Sequence, residues 1–190
     1  MMADRPSVLW CSNQRTRSGN GWSFPPAVER QLRKLTAGQR VFHPFGGRAR
    51  FGLRGDIDPT VRPDVIADAW LPPFRMDAFD VVILDPPYVH LNMQMKNHLL
   101  RAAAYVAKDR VIWFHTTWIA GAGRNRLAPE ASWLVRVGDS CAVRCLQVFQ
   151  VKPGSKVIPH AYFTRGPAIR YNRWLIQPEC LPLEREGLGP

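Results

Sequence analysis

The run Val81-Val82-Ile83-Leu84, broken at once by Asp85-Pro86-Pro87-Tyr88, constrains the fold of this chain more than any other feature. A short apolar run rich in β-branched residues and closed by turn residues reads as a strand buried on both faces. Such strands belong to parallel sheets covered by helices, where ligands bind beyond the carboxyl ends of the strands. Two consecutive prolines fix φ and remove two backbone donors, so the segment is stiff and its carbonyls stay open to accept. Asp85 and the Pro86 carbonyl can take the two hydrogens of a planar NH2 group while Tyr88 covers the ring face. The alternative is a surface turn that happens to follow a strand.

The remaining elements fit the same class. Residues 1–24 read as irregular, with a polar basic stretch at 12–21. Pro25-Pro26 precede Ala27–Leu35, where Val28, Leu32 and Leu35 form the apolar stripe of a short helix that ends at Gly38. Strands are expected at Arg40–His43, Leu53–Ile57, Asp64–Ala67 and Val81–Leu84, a helix at Met93–Ala107 and a further strand at Arg110–Trp118. A Gly/Asn/Arg loop then leads to Ser132–Val137 and Ala142–Val151, joined by Gly138-Asp139-Ser140 as an antiparallel hairpin. Parallel-type strands with connecting helices and a terminal hairpin make an α/β layered fold. The expected organisation is a basic arm over 1–21, one domain over 22–175 and a tail over 176–190.

Composition narrows the partner. The 190 residues suit one domain with a sizeable core. No apolar run approaches the roughly 20 residues needed to span a bilayer, and the N-terminus lacks the apolar stretch of a signal peptide. A cytoplasmic protein with no membrane association is expected, nucleoid-associated if its partner is DNA. The four cysteines and five histidines show no metal-ligand spacing, so no metal is expected. The net charge of +11 and pI of about 10.3 point to a polyanion. The charge is unevenly placed. Residues 1–55 carry nine Arg and one Lys against Asp4 and Glu29, whereas residues 56–85 carry seven Asp against Arg62 and Arg75.

Those acids mark strand ends. The first strand opens into His43-Pro44-Phe45-Gly46-Gly47, a glycine turn that permits close backbone approach. The second ends at Asp56-Ile57, where a carboxylate can accept ribose hydroxyls. The third ends at Asp68-Ala69 and the fourth at Asp85. Any one of these aspartates alone reads as a helix cap or turn residue.

Taken together, the four strand ends resemble the S-adenosylmethionine-dependent methyltransferases of exocyclic amino groups, most closely the N6-adenine DNA type. Asp85, Pro86, Pro87 and Tyr88 match that family's catalytic motif. His43-Pro44-Phe45-Gly46-Gly47 is similar to its first motif, with His43 in place of an acid or amide and Ala49 where a second glycine is usual. The resemblance implies a Rossmann-like class I fold: a mostly parallel, mixed seven-stranded sheet with a C-terminal antiparallel hairpin and helices on both faces. It implies S-adenosylmethionine as cofactor, held by Phe24, His43, Phe45, Gly47, Asp56, Ile57, Asp68 and Ala69. The short interval from Gly47 to Asp56 implies that the first helix is very short or missing.

The implied reaction is direct methyl transfer to an amino nitrogen, with Asp85 and the Pro86 carbonyl favouring the pyramidal nitrogen. None of the cysteines follows a proline, which disfavours methylation at a cytosine carbon. DNA is the expected substrate ahead of RNA, adenine N6 or guanine N2 in the latter case. A non-catalytic scaffold that binds nucleic acid is the competing class. Nucleic-acid contacts are expected from Arg15 and Arg17, from Lys96 in the loop Val89–Lys96, and from Arg124 and Arg126. Trp113, Trp118 and Trp133 are able to stack on bases, but their strand positions favour core packing. The chain has no insert large enough for target recognition. That leaves a homodimer, a partner subunit or low sequence specificity.

Overall fold

The computed structural model describes residues 7–11, 24–86, 91–120, 125–137 and 143–154; side chains of residues 7–11 and of Val137 are outside that description. In chain order the elements are β1 (Ser7–Cys11), α1 (Pro26–Leu35), β2 (Val41–His43), β3 (Leu53–Asp56), β4 (Val65–Ile66), β5 (Phe79–Leu84), α2 (Met93–Val106), β6 (Ala107–His115), β7 (Leu127–Val137) and β8 (Val143–Val151). One 3-10 turn, Pro59–Val61, lies between β3 and β4. The strands form one sheet in the order β1-β7-β8-β6-β5-β2-β3-β4. Neighbours run parallel except where β8 lies antiparallel between β6 and β7.

Side-chain alternation along the central strands builds two cores, one on each face. Val81 and Ile83 of β5, with Ile112 and Phe114 of β6, pack under Val28 and Leu32 of α1. Val82 and Leu84, with Val111 and Trp113, pack under Leu99, Leu100 and Ala103 of α2. Both helices begin where the sequence provides for it. Pro26 stands at the first position of α1, and Asn92 caps α2 by accepting from the Met95 N–H at 2.9 Å. Helices therefore cover both faces, as expected. Among the described residues no helix is long and apolar enough to cross a membrane.

All seven expected strands are present, including the β7–β8 hairpin, whose connecting residues 138–142 lie outside the described residues. Strand ends shift by a residue or two elsewhere, and three differences are larger. Residues 7–11, read as part of an irregular segment, form β1 and pair parallel with β7. The apolar run Val8-Leu9-Trp10 has strand propensity, and the outer edge of β7 offers it a ladder. The strand expected over 110–118 is β6, which starts at Ala107 and ends at His115, because Thr116–Trp118 turn away. The strand β7 begins at Leu127 rather than 132, with a register shift between Pro129 and Ala131 where proline lacks the ladder N–H.

The crossover from β2 to β3 holds no helix. Residues 44–52 turn tightly, with the Gly46 N–H on the Gly55 carbonyl at 2.7 Å and the Ala49 N–H on the Gly46 carbonyl at 2.8 Å. Ala49 and Phe51 fold back into the α1-side core. Gly46 is required by close approach: a Cβ there would lie 2.6 Å from the Cβ of Arg54.

Candidate active site

Because β2, β3, β4 and β5 are mutually parallel, their carboxyl ends share one edge of the sheet. His43, Asp56, the Asp68–Ala69 turn and Asp85 therefore emerge along a single rim. On it Asp85 is 5% exposed, and Pro86 beside it is also buried. Pro87 and Tyr88 lie outside the described residues.

On the β3–β4 side, Asp56 is partly buried and accepts the Asp58 N–H at 3.0 Å through Oδ1. Ile57 is exposed. Asp68 accepts the Trp70 N–H at 2.9 Å through Oδ1, while its Oδ2 is buried with no hydrogen-bond partner. Burial raises the Asp68 carboxyl above the usual range, with the Trp70 N–H opposing. A buried acceptor left open in this way is suited to an N–H from outside the chain. Ala69 is buried next to it, and Phe45 meets Trp70 edge to face at 6.1 Å. Gly47 is buried with φ of 45°, a conformation that glycine adopts at little cost. Trp70 was missed from sequence alone. Its signal is the spacing from Asp68, whose side chain accepts the Trp70 backbone N–H.

His43 ends β2 at the rim, but its side chain turns away from it. As the third residue of β2 it points to the α1 face, with Val41, into an aromatic cluster. Phe24 lies 5.9 Å from it and Phe51 4.7 Å. Neither ring nitrogen makes a well-formed hydrogen bond. Burial pushes its pKa down to about 4, with only the Phe51 backbone opposing, so the ring is neutral at neutral pH. Phe24 is buried in the same cluster, 6.0 Å from Phe114.

On the β5–β6 side, Leu84 pairs with Trp113, which sets His115 at the level of Pro86. The chain then turns, and side chains pin the turn. Nδ1 of His115 accepts the Thr117 N–H at 3.0 Å, which assigns the ring proton to Nε2 when the ring is neutral. Trp113 Nε1 donates to the Thr117 carbonyl at 3.0 Å, and Gln147 brackets Ile119 through both its N–H and its carbonyl, at 2.8 and 3.2 Å. The buried Cys145 thiol donates to the His115 and Thr117 carbonyls, and burial pushes its pKa up to about 11, so it remains protonated and inert as a nucleophile.

Lys96, expected on an open nucleic-acid surface, is instead buried in the first turn of α2. Its Nζ donates to Thr117 Oγ1 at 2.8 Å, and it takes part in none of the ion pairs found among the described residues. Arg126 lies away from this rim in a left-handed conformation (φ 61°), with one guanidinium N–H on the Pro153 carbonyl at 3.4 Å. Arg15, Arg17 and Arg124 lie outside the described residues. Trp113 is fully buried and Trp133 partly so, but Trp118 is 45% exposed because the strand ends before it.

No protein-family profile matches the chain, and no curated protein matches it by sequence. Solved structures do match. TrmN from Thermus thermophilus superposes with a TM-score of 0.51 at 18% identity, over 68% of this chain and 50% of that one. A protein from Pyrococcus horikoshii described as an RNA methyltransferase gives 0.54 at 13% identity, over 70% and 88%. The 1,6-didemethyltoxoflavin-N1-methyltransferase of Burkholderia thailandensis, solved with its substrate and S-adenosylhomocysteine, gives 0.53 at 10% identity, over 67% and 78%. The chain thus spans half the length of the Thermus protein. At such identities the likeness is one of architecture, and together with the strand order it establishes the fold: a class I Rossmann-like methyltransferase fold, with β1 added at one edge.

Proposed function

We propose that this protein transfers a methyl group from S-adenosylmethionine to an exocyclic amino nitrogen of a nucleobase, adenine N6 in DNA being the first reading. The observation that carries it is the shared rim. Three carboxylates, Asp56, Asp68 and Asp85, leave parallel strands at one edge, and the last is buried beside a proline carbonyl. The cofactor fits the rim. The open Oδ2 of Asp68 suits the adenine amino group, Asp56 the ribose hydroxyls, and the Gly46-Gly47 turn a close-lying chain. When bound, the cofactor supplies an electrophilic methyl on its sulfonium.

The protein's own part is alignment and acceptance. An aromatic amine is a weak nucleophile because its lone pair is delocalised into the ring. Asp85 and the Pro86 carbonyl accept its two N–H bonds and stabilise the pyramidal nitrogen on which that pair is available. In this reading the Asp85 carboxylate takes the proton that the alkylated nitrogen must lose. In this reading Tyr88 stacks on the target base, which a duplex must release from its stack. In this reading no cysteine nucleophile is needed, and Cys145 is protonated and buried.

RNA is the second reading, favoured by the Pyrococcus neighbour described as an RNA methyltransferase. Incubating the protein with tritiated S-adenosylmethionine and, separately, unmethylated genomic DNA, ribosomal RNA and bulk protein tests both. Label in DNA as N6-methyladenine is the expected result. Label in RNA selects the second reading, and label in protein or in no polymer contradicts both.

A further inference from the structure

Beyond the rim, the molecule carries a basic ridge on its α1 face. Between residues 26 and 50 the sequence holds Arg30, Arg33, Lys34, Arg40, Arg48 and Arg50 against Glu29 as the sole acid. Arg40 belongs elsewhere, in an ion pair with Asp80 at 3.0 Å by the amino ends of β2 and β5. The other five are carried by α1 and by the β2–β3 crossover, a turn that Arg33 joins to the helix. Arg33 ties the two pieces: it donates to the Arg50 carbonyl at 2.8 Å, stacks on Phe51 at 4.8 Å and engages Glu29 at 2.8 Å. Glu29 is engaged by Arg33, and Arg30, Lys34 and Arg50 are exposed. On a helix surface Arg30 faces both Arg33 and Lys34, an arrangement that repels itself unless anions approach. The opposing acids of the chain are concentrated in residues 56–85, beyond this segment.

We infer that α1 and the 44–52 crossover form a phosphate-binding ridge that holds the backbone of the nucleic-acid substrate. This rests on the nucleic-acid reading above and gives it a surface. The ridge borders the glycine turn, so a strand lying along it reaches the rim where the base is handled. Its contacts are electrostatic, carry no sequence information and depend on salt. The missing helix is what opens the ridge, because residues 48–50 stand where its first turn would begin.

The test compares wild type with Arg30→Gln/Lys34→Gln, with Arg50→Gln and with the triple variant. Binding to fluorescein-labelled duplex DNA and single-stranded RNA of mixed sequence is followed by anisotropy across a salt series. Arg75→Gln/Lys108→Gln, exposed sites away from the ridge, is the control, and thermal melts confirm folding. Each lost phosphate contact lowers the steepness of log K against log salt by about 0.9 on duplex and about 0.7 on single strands. The triple variant is expected to lose about 2 to 3 units of slope and to bind at least about tenfold more weakly at low salt, with the control unchanged. Variants that bind with wild-type slope and affinity, from a wild type that still methylates nucleic acid, overturn the ridge and leave the activity standing. A wild type that binds neither polymer overturns both.

Discussion

The two halves of the rim are built differently. Strands β5 and β6 are flanked on both faces and buried over their carboxyl halves, and β6 ends in a turn held by Trp113, Cys145, Gln147 and Lys96. Strands β3 and β4 are four and two residues long, partly exposed, and followed by turns that rest on single aspartate–amide bonds. In the half assigned to the amine acceptor, Asp85 and Pro86 are buried against the core. The half assigned to the cofactor keeps an open buried acceptor at Asp68, and binding there gains whatever that oxygen now lacks. In this reading the protein invests rigidity where chemistry occurs and leaves the binding side to be completed by its ligand.

The largest separation of the halves is expected from Asp85→Ala. Loss of this acceptor lowers kcat by at least about 10²-fold, by analogy with removal of one preorganised group at a developing charge. Affinity for S-adenosylhomocysteine, read by calorimetry, stays close to wild type under the proposal that assigns Asp85 to the acceptor. Equal losses in both quantities would merge the two halves into one.

His43 sharpens the comparison through pH. Its buried ring titrates near 4 rather than 6.5, so between those values the unfolded chain takes up a proton that the native chain does not. Stability is therefore full above about pH 6.5 and is lost as pH falls towards 4, by on the order of 3 kcal/mol in total. Urea unfolding of His43→Phe across this range should show a flatter acid limb than wild type. An unchanged slope would place the loss on other groups.

Gly46→Ala probes the turn between the halves. Its methyl would press on the Arg54 Cβ and Cα, and a cost of about 1–3 kcal/mol is expected in melting experiments. The smallest effect is that of Asp68→Asn. Weaker acceptance at this oxygen should reduce S-adenosylhomocysteine affinity by about 1 kcal/mol. Because burial raises this carboxyl, wild-type affinity should begin to fall at a higher pH than for an exposed aspartate as the solution is acidified, and the Asn variant should lose that dependence. Titrations at a series of pH values read both effects.

The sequence was most legible where one physical demand dominated. Doubly buried strands such as β5, the apolar stripe of α1 and the β7–β8 hairpin followed from periodicity and turn chemistry, and so did the carboxylates at the strand ends. The absent helix between β2 and β3 followed from spacing alone. Less legible was whatever depended on neighbours. The strand β1 needs the exposed edge of β7, and the end of β6 is set by the Thr117 contacts rather than by composition. Lys96 looked like a surface cation, yet it is buried because Thr117 lies within reach of its amine. The setting of His43 was not legible either: the pleat of β2 turns its ring toward α1, against Phe24 and Phe51.

The most direct measurement is nucleoside mass analysis of DNA and RNA after incubation with S-adenosylmethionine and either wild-type protein or Asp85→Ala. A base methylated on its exocyclic nitrogen, present with wild type and absent with the variant, is the predicted result. Methyl on a ring carbon or on ribose, or equal yields from the two proteins, would contradict the assignment of Asp85 as the group that holds the amine.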